Sequence, residues 1–410
     1  MKRRVVVTGM AGVTALGNDI DSIFKQMQQQ KTAIQIIEEW QDIEGLNTQL
    51  GAPIQDFKLP LHFTRKQTRS MGRVAQLATM ATEQALIDAK LQGNAELISG
   101  GRLGIAYGSC SGSTHSLADL VRIRTERILK NVTATTYIKA MSHTCAVNIA
   151  LLFEISGRVI PTSSACTSSS QAIGYAYESI RHGYQDRMIA GGAEELCVSQ
   201  VAVFDTLYAT SQKNKQPEIT PRPFDKDRDG LVLGEGAVTL ILESLDHALA
   251  RGAPIYAEIV GYGTNCDAAH VTQPSAKTMQ TAIELALLDA NIKPEQIDYV
   301  NLHGTATDRG DIAESHATQA VFGKTILASS LKSYFGHTLG ACGALEAWLS
   351  IAMMNKGVLF PTINLDAVDP NCATLGYIQS QPIAHDCQYI MSNNFAFGGI
   401  NTALIFKKWR

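Results

Sequence analysis

The chain has 410 residues, 45% of them hydrophobic and 18% charged, with a formal net charge of −3. That length allows a large core and by itself two or three domains, and the charge excludes a global basic field for nucleic acid. No stretch is long and apolar enough to span a membrane, and the eight cysteines show neither metal-ligand nor paired spacing, so a cytoplasmic location, free thiols and no metal are expected.

The start, MKRRVVVTGMAGVTALGND, is basic and then apolar, like a secretory signal. Gly9 and Gly12 interrupt it and no clear small-residue cleavage site follows, so a strand running into a glycine turn is expected. Short apolar, β-branched runs then recur: RLGIAYG, RVIPTS, RMIAGG, AVTLILE, PIYAEIVGYG, IDYVNLHG, TILASSL, YIMSNN and TALIFKK. Helical patterns separate many of them, at residues 71–90, 136–153, 167–182, 277–290, 310–322 and 340–355. Apolar runs alternating with helices mean an α/β protein with a largely buried sheet.

Two segments share one plan. VIPTSSACTSSSQAIGYAYESIRHG and ILASSLKSYFGHTLGACGALEAWLSIAMMNKG each read as a strand, a serine-rich turn and a small-residue helix ending at glycine. They place Cys166 and His337 at matching points and imply two similar halves joined near residues 250–258.

A cysteine at the first turn of a helix meets the positive end of the helix dipole and unpaired N–H groups, which stabilise a thiolate and can hold an oxyanion. SACTSS alone still favours a small core residue at Cys166. Two histidines shift that balance. His303 follows an apolar run and precedes Gly304; His337 lies between Gly336 and Thr338. Together with Cys166 they point to nucleophilic chemistry on a carbonyl. No carboxylate completes a protease-like pattern, so hydrolysis is not the first expectation. SNNFAFGGINTAL, residues 392–404, reads either as a hairpin with core aromatics (Phe395, Phe397) or as a glycine-flanked loop whose N–H groups reach the reacting carbonyl.

At these residues the sequence resembles the β-ketoacyl-acyl-carrier-protein synthases, the elongating type II enzymes in particular. The resemblance runs end to end through VVVTGMAGVTALG, SSACTSSSQAIG, AGGAEE, RPFDKDRDGLVLGEGA, HGTAT, LKSYFGHTLGACGALEA and NNFAFGGIN. It implies a thiolase-type fold of two pseudo-symmetric α/β halves, residues 1–252 and 253–410, in five layers αβαβα. It also implies that Cys166 takes an acyl group, its pKa lowered by the helix, with the N–H groups of Cys166 and Phe397 as the oxyanion hole. Malonyl carrier protein would then lose its carboxylate, and His303 and His337 would donate hydrogen bonds to the enolate oxygen. Lys332 matches the family's active-site lysine, with Glu346 as its ion-pair partner and a supporting role. Thr305, Thr307 and Thr272 would bind the phosphopantetheine arm, the structural alternative being turn capping. No tightly bound cofactor is implied.

The partner implied is acyl carrier protein, loaded with acyl or malonyl groups. Its acidity calls for a basic docking patch. Arg65, Lys66, Arg69, Arg122, Arg124, Arg127, Lys130 and Lys213 are the candidates, each on its own more often a solvated charge. A homodimer is the family's usual state, with a heterodimer with a related ketosynthase as the alternative.

Three departures stand out. Ser111 replaces a bulky aliphatic residue facing the acyl chain, Ala396 and Ile400 replace a glycine and a threonine of the gating loop, and Asp308 and Arg309 replace a proline-containing pair near the pantetheine mouth. In this the chain is similar to ketosynthases of bacterial polyene pathways, aryl polyenes especially. A non-catalytic, chain-length-factor-like subunit would lack Cys166. A thiolase acting on coenzyme A would carry a second cysteine in the loop that here reads FAFGGIN. A cysteine hydrolase is the remaining rival.

Overall fold

Each apolar run named above becomes a strand. The computed structural model of the chain describes residues 2–130 and 132–410. In chain order the main-sheet strands and principal helices are β1 (Val5–Thr14), α1 (Arg73–Asp88), β2 (Leu103–Gly108), α2 (Thr144–Phe153), β3 (Val159–Thr162), α3 (Ser168–Arg181), β4 (Arg187–Glu194), β5 (Gly236–Ser244), β6 (Ala257–Cys266), α4 (Ala276–Ala290), β7 (Tyr299–Asn301), α5 (Asp308–Phe322), β8 (Leu327–Ser329), α6 (Cys342–Lys356), β9 (Gly376–Tyr377), β10 (Tyr389–Phe395) and β11 (Ile400–Lys408).

Strand order repeats. In the first half β1, β5 and β4 pair antiparallel, then β2 and β3 continue in parallel. In the second half β6, β11 and β10 pair antiparallel, then β7 and β8 continue in parallel. The two runs have the same order and the same strand senses. Pro161 lies in β3, at the edge of the sheet, where a missing N–H costs no ladder bond.

Three apolar cores separate the layers. Val74, Leu77 and Ala81 of α1 and Ile149 of α2 pack on Ile105, Ile189 and Ile241. Ile173 and Ala176 of α3 and Leu345, Trp348 and Leu349 of α6 fill the middle, against Leu240 and Leu404. Ile283 and Leu287 of α4 and Ala317 of α5 cover Val300, Ala328 and Ile405. This is the thiolase-type fold, helices outside and between the sheets. One detail differs from two separate sheets: Val5, Val6 and Val7 of β1 pair with Ile259, Glu258 and Ala257 of β6, so hydrogen bonding runs through one 11-stranded sheet.

The helix expected over 136–153 is two, Ala134–Ala140 and Thr144–Phe153. The Lys139 carbonyl accepts from the Ser113 N–H at 2.8 Å instead of from the next helical turn. Helices at Ile20–Gln28, Thr114–Thr125 and Val198–Asp205 were not expected from the sequence. Among the described residues no helix is long and apolar enough to cross a membrane.

Candidate active site

Cys166 stands in the turn between β3 and α3 and is 4% exposed. It precedes the helix N-cap, Thr167, rather than occupying the first turn as expected. Ala165 holds φ at +50°, a left-handed conformation that a non-glycine residue adopts only when its surroundings impose it. The surrounding hydroxyls impose it. Thr167 Oγ1 donates to the Ser164 carbonyl at 2.8 Å, and Ser168 Oγ accepts from the Ser164 N–H at 2.9 Å and donates to the Ala165 carbonyl at 2.7 Å.

The thiol pKa also departs from expectation. Burial pushes it above its ordinary value, against the pull of the Phe397 N–H, Lys332 and its own N–H. Burial outweighs that pull, so the helix does not lower the thiol pKa as expected.

His337 reaches the same point from the other half. It follows the short helix Lys332–Phe335 and Gly336, whose φ is +66°, and its N–H donates to the Val232 carbonyl at 2.7 Å. Its Nε2 lies 2.9 Å from Cys166 Sγ, and its Nδ1 has no partner among the described residues. The strand before His337 and the helix after it, β8 and α6, are the counterparts of β3 and α3 around Cys166.

His303 leaves β7 beside Gly304. Glu314 of α5 accepts from the N–H groups of both, at 2.6 and 2.7 Å. A Cβ at Gly304 would lie 2.6 Å from the Phe224 ring, so the tight exit needs glycine. The imidazoles of His303 and His337 meet edge-on, centroids 5.2 Å apart. Lys332 Nζ is 3.2 Å and Asn394 Nδ2 3.4 Å from His303 Nδ1. Two N–H donors on one ring nitrogen leave it the lone pair, so the proton of a neutral His303 resides on Nε2. Burial, then Lys332 and His337, holds His303 well below the usual imidazole range; burial and Lys332 do the same to His337. Lys332 forms a buried ion pair with Glu346, which also accepts from Asn394 Nδ2 at 2.6 Å. Burial draws the lysine pKa down, but Glu346 holds it above its ordinary value.

The 392–404 segment is both things expected of it. Residues 396–399 close the β10–β11 hairpin, with Gly398 and Gly399 at φ of +92° and +84°. The buried Phe395 ring lies 6.3 Å from His303, and the partly exposed Phe397 ring packs edge-on at 6.0 Å against Phe204. Cys166, His303, His337, Thr272, Thr305, Thr307, Phe395 and Phe397 line one cavity of about 590 Å³. Thr307 is the N-cap of α5 yet makes no capping bond through its side chain; its hydroxyl lies 2.9 Å from that of Thr305. Thr272 Oγ1 lies 3.2 Å from His270 Nδ1.

Two of the expected residues stand apart from the rest. Ser111 does not line the cavity; its hydroxyl accepts from Gln200, whose amide also bonds Glu194. Lys213 is not a free surface cation, because Asp229 pairs with it at 3.1 Å and the Asp227 carbonyl accepts from it at 3.0 Å. Arg65, Lys66, Arg69, Arg124, Arg127 and Lys130 are exposed, and Arg122 is exposed but paired with Glu126.

Sequence reasoning missed Glu314, Asn394 and Cys342, whose thiol donates to the Cys166 carbonyl at 3.1 Å. Asn394 and Cys342 lie inside quoted motifs, and Glu314 lies 11 residues after His303, on the helix that the HGTAT turn begins.

Two family models match: "Beta-ketoacyl synthase, N-terminal domain" over residues 2–248 and "Beta-ketoacyl synthase, C-terminal domain" over residues 256–366. The 3-oxoacyl-[acyl-carrier-protein] synthase 2 of Vibrio cholerae serotype O1 is 36% identical over 414 residues, 99% of each chain. The crystal structure of a beta-ketoacyl synthase from Burkholderia phymatum matches with a TM-score of 0.98 at 56% identity, over 100% of both chains. A structure of the ishigamide ketosynthase/chain length factor matches with a TM-score of 0.91 at 31% identity, again over 100% of both.

Proposed function

The chain belongs to the β-ketoacyl synthase family, and on that premise we propose that it elongates a carrier-bound acyl chain through Cys166, His303 and His337. The activity is that of a 3-oxoacyl-[acyl-carrier-protein] synthase, an acyltransferase. The observation that carries the residue assignment is the 2.9 Å approach of His337 Nε2 to Cys166 Sγ, with a second buried imidazole in the same cavity.

The chemistry runs in two halves. Cys166 attacks the acyl thioester, the pantetheine thiol leaves with the proton, and the acyl group stays on sulfur. The N–H groups of Cys166 and Phe397 hold the oxyanion of the tetrahedral intermediate. A malonyl thioester then enters the emptied cavity and loses carbon dioxide. Its enolate oxygen accepts from Nε2–H of His303, which Lys332 and Asn394 preorganise, and from Nε2–H of His337. The enolate carbon attacks the acyl carbonyl and expels the Cys166 thiolate. Lys332, paired with Glu346, orients His303 rather than carrying a proton. Thr305, Thr307 and Thr272 hold the arm, which belongs to the substrate, so no resident cofactor is required.

The acyl carrier protein docks on the exposed cations at 65–69 and 122–130. Polyene-type elongation, of unsaturated or aryl chains, is the pathway reading; Asp308, Arg309 and Ala396, three of the five departing residues, line the cavity. The division into 1–252 and 253–410 follows the repeated strand order. A homodimer is the proposed state, because β3 is an exposed edge, with Val159 41% exposed and Leu151 of α2 beside it 66% exposed. A location in the cytoplasm completes the reading.

Intact mass spectrometry after mixing with a panel of acyl carrier proteins tests the assignment. An acyl adduct forms on the wild type and disappears in Cys166→Ala. No adduct from any carrier sinks the reading.

A further inference from the structure

Arg309 is an exposed guanidinium that lines the cavity ending at Cys166. It also lines a shallow groove beside that cavity, formed with Gln273, Pro274 and His316, and so stands where the two meet. The carboxylates around it are taken by another cation. Arg228, 3% exposed, lies 3.3 Å from Asp308, 3.6 Å from Asp311 and 2.6 Å from Asp369. Asp311 also accepts from the N–H groups of Phe224 at 2.7 Å and Thr305 at 3.0 Å. Among the described residues Arg309 has neither an ion pair nor a hydrogen bond. It is carried on the first turn of α5, a 15-residue helix whose positive end adds to its attraction for an anion.

The substrate arm has one ionised group. Its thioester must reach Cys166, its amides pass Thr305 and Thr307, which are less exposed than Arg309, and its phosphodiester lies at the outer end, where the arm joins the carrier protein. We propose that Arg309 binds that phosphodiester and so fixes how far the arm enters. A planar guanidinium at the mouth matches two phosphate oxygens, which a threonine hydroxyl cannot do. The inference rests on the carrier-thioester reading of the site.

The test compares acylation of Cys166 by a pantetheine thioester and by the same thioester of 4′-phosphopantetheine, which differ only in the phosphate. Rates are followed by intact mass spectrometry in the wild type, Arg309→Ala and Arg309→Lys. The wild type is expected to prefer the phosphorylated substrate by roughly three- to tenfold in kcat/KM, through KM, as fits one exposed charge-assisted contact. Arg309→Ala brings that ratio toward one, Arg309→Lys keeps part of it, and added salt erodes it. An equal preference in Arg309→Ala and the wild type overturns the proposal, as does a wild type with no preference. A loss confined to carrier-protein substrates, with the small-thioester ratio unmoved, assigns Arg309 to the carrier's surface and overturns it too. A wild type acylated by nothing at all, carrier proteins included, sinks the synthase reading as well.

Discussion

His303 shows how one protonated neighbour fixes what an imidazole does. Lys332 and Asn394 approach Nδ1, so only Nε2–H remains for the substrate. Replacing His303 or His337 with Ala should slow malonyl-carrier decarboxylation by about 10²–10³-fold, the usual loss for one donor at a developing oxyanion. Carbon dioxide release measures this, and wild-type rates in both variants would remove the histidines from the mechanism. The buried thiol has its pKa raised, so its thiolate fraction grows with pH throughout the neutral range. Alkylation of Cys166 by iodoacetamide should therefore keep accelerating from pH 7 to pH 9; a plateau below pH 8 would mean the helix side prevails over burial. The two imidazoles are held well below their ordinary range, so protonation of either should not limit activity until well under pH 6.5. The two histidines were legible as candidates because glycine neighbours set them apart from core residues, and Cys166 only in their company, its own serine-rich stretch favouring a core residue. The thiol's burial was not, because the residues that dehydrate it come from both halves. Glu314 and Asn394 act on His303 from 11 and 91 residues away, distances over which local pattern says nothing.

At the scale of elements, two helix starts meet head to side. Ser169 of α3 accepts from the Ala344 N–H of α6 at 2.9 Å. A Cβ at Gly343 would lie 2.7 Å from Asn394 Oδ1 and 2.9 Å from the Ser170 backbone nitrogen, and one at Gly174 would strike the Tyr262 ring at 2.3 Å. Gly343, facing Ser170, thus serves this close approach, whereas Gly174 makes room for Tyr262 of β6. Gly343→Ala should destabilise the fold by about 1–3 kcal/mol, as overpacking does, and weaken Cys166 acylation with it. Urea unfolding checks the first and adduct formation the second; unchanged stability would mean that the two helices separate freely. Glu346→Gln leaves the Lys332 ammonium buried without its counter-charge and should cost more, about 3–5 kcal/mol. The main-sheet strands other than β9, and helices α1–α6, were legible from their apolar periods. The break at 141–143 was not, since no glycine or proline marks it and the Ser113 N–H that takes the Lys139 carbonyl comes from a distant segment.

At the scale of the whole molecule, the proposed reacting residues meet where the two repeated strand runs converge. Cys166 comes from the first half, His303 and His337 from the second, and β1 and β6 join the sheets at their shared edge. The repeat was legible in outline because two segments kept one plan, but the continuous sheet depends on three residue pairs that no sequence period marks. Sedimentation should find two chains per particle at micromolar concentration, and Val159→Lys on the exposed edge should shift it toward one. A wild-type monomer would contradict the dimer. The reaction itself gives the most direct test. Mixing the enzyme with acyl-loaded and malonyl-loaded carrier proteins and weighing the products should reveal a 3-oxoacyl chain two carbons longer, with one carbon dioxide released for each, and neither with Cys166→Ala. No longer chain from any acyl carrier, or an undiminished yield from Cys166→Ala, would contradict the account.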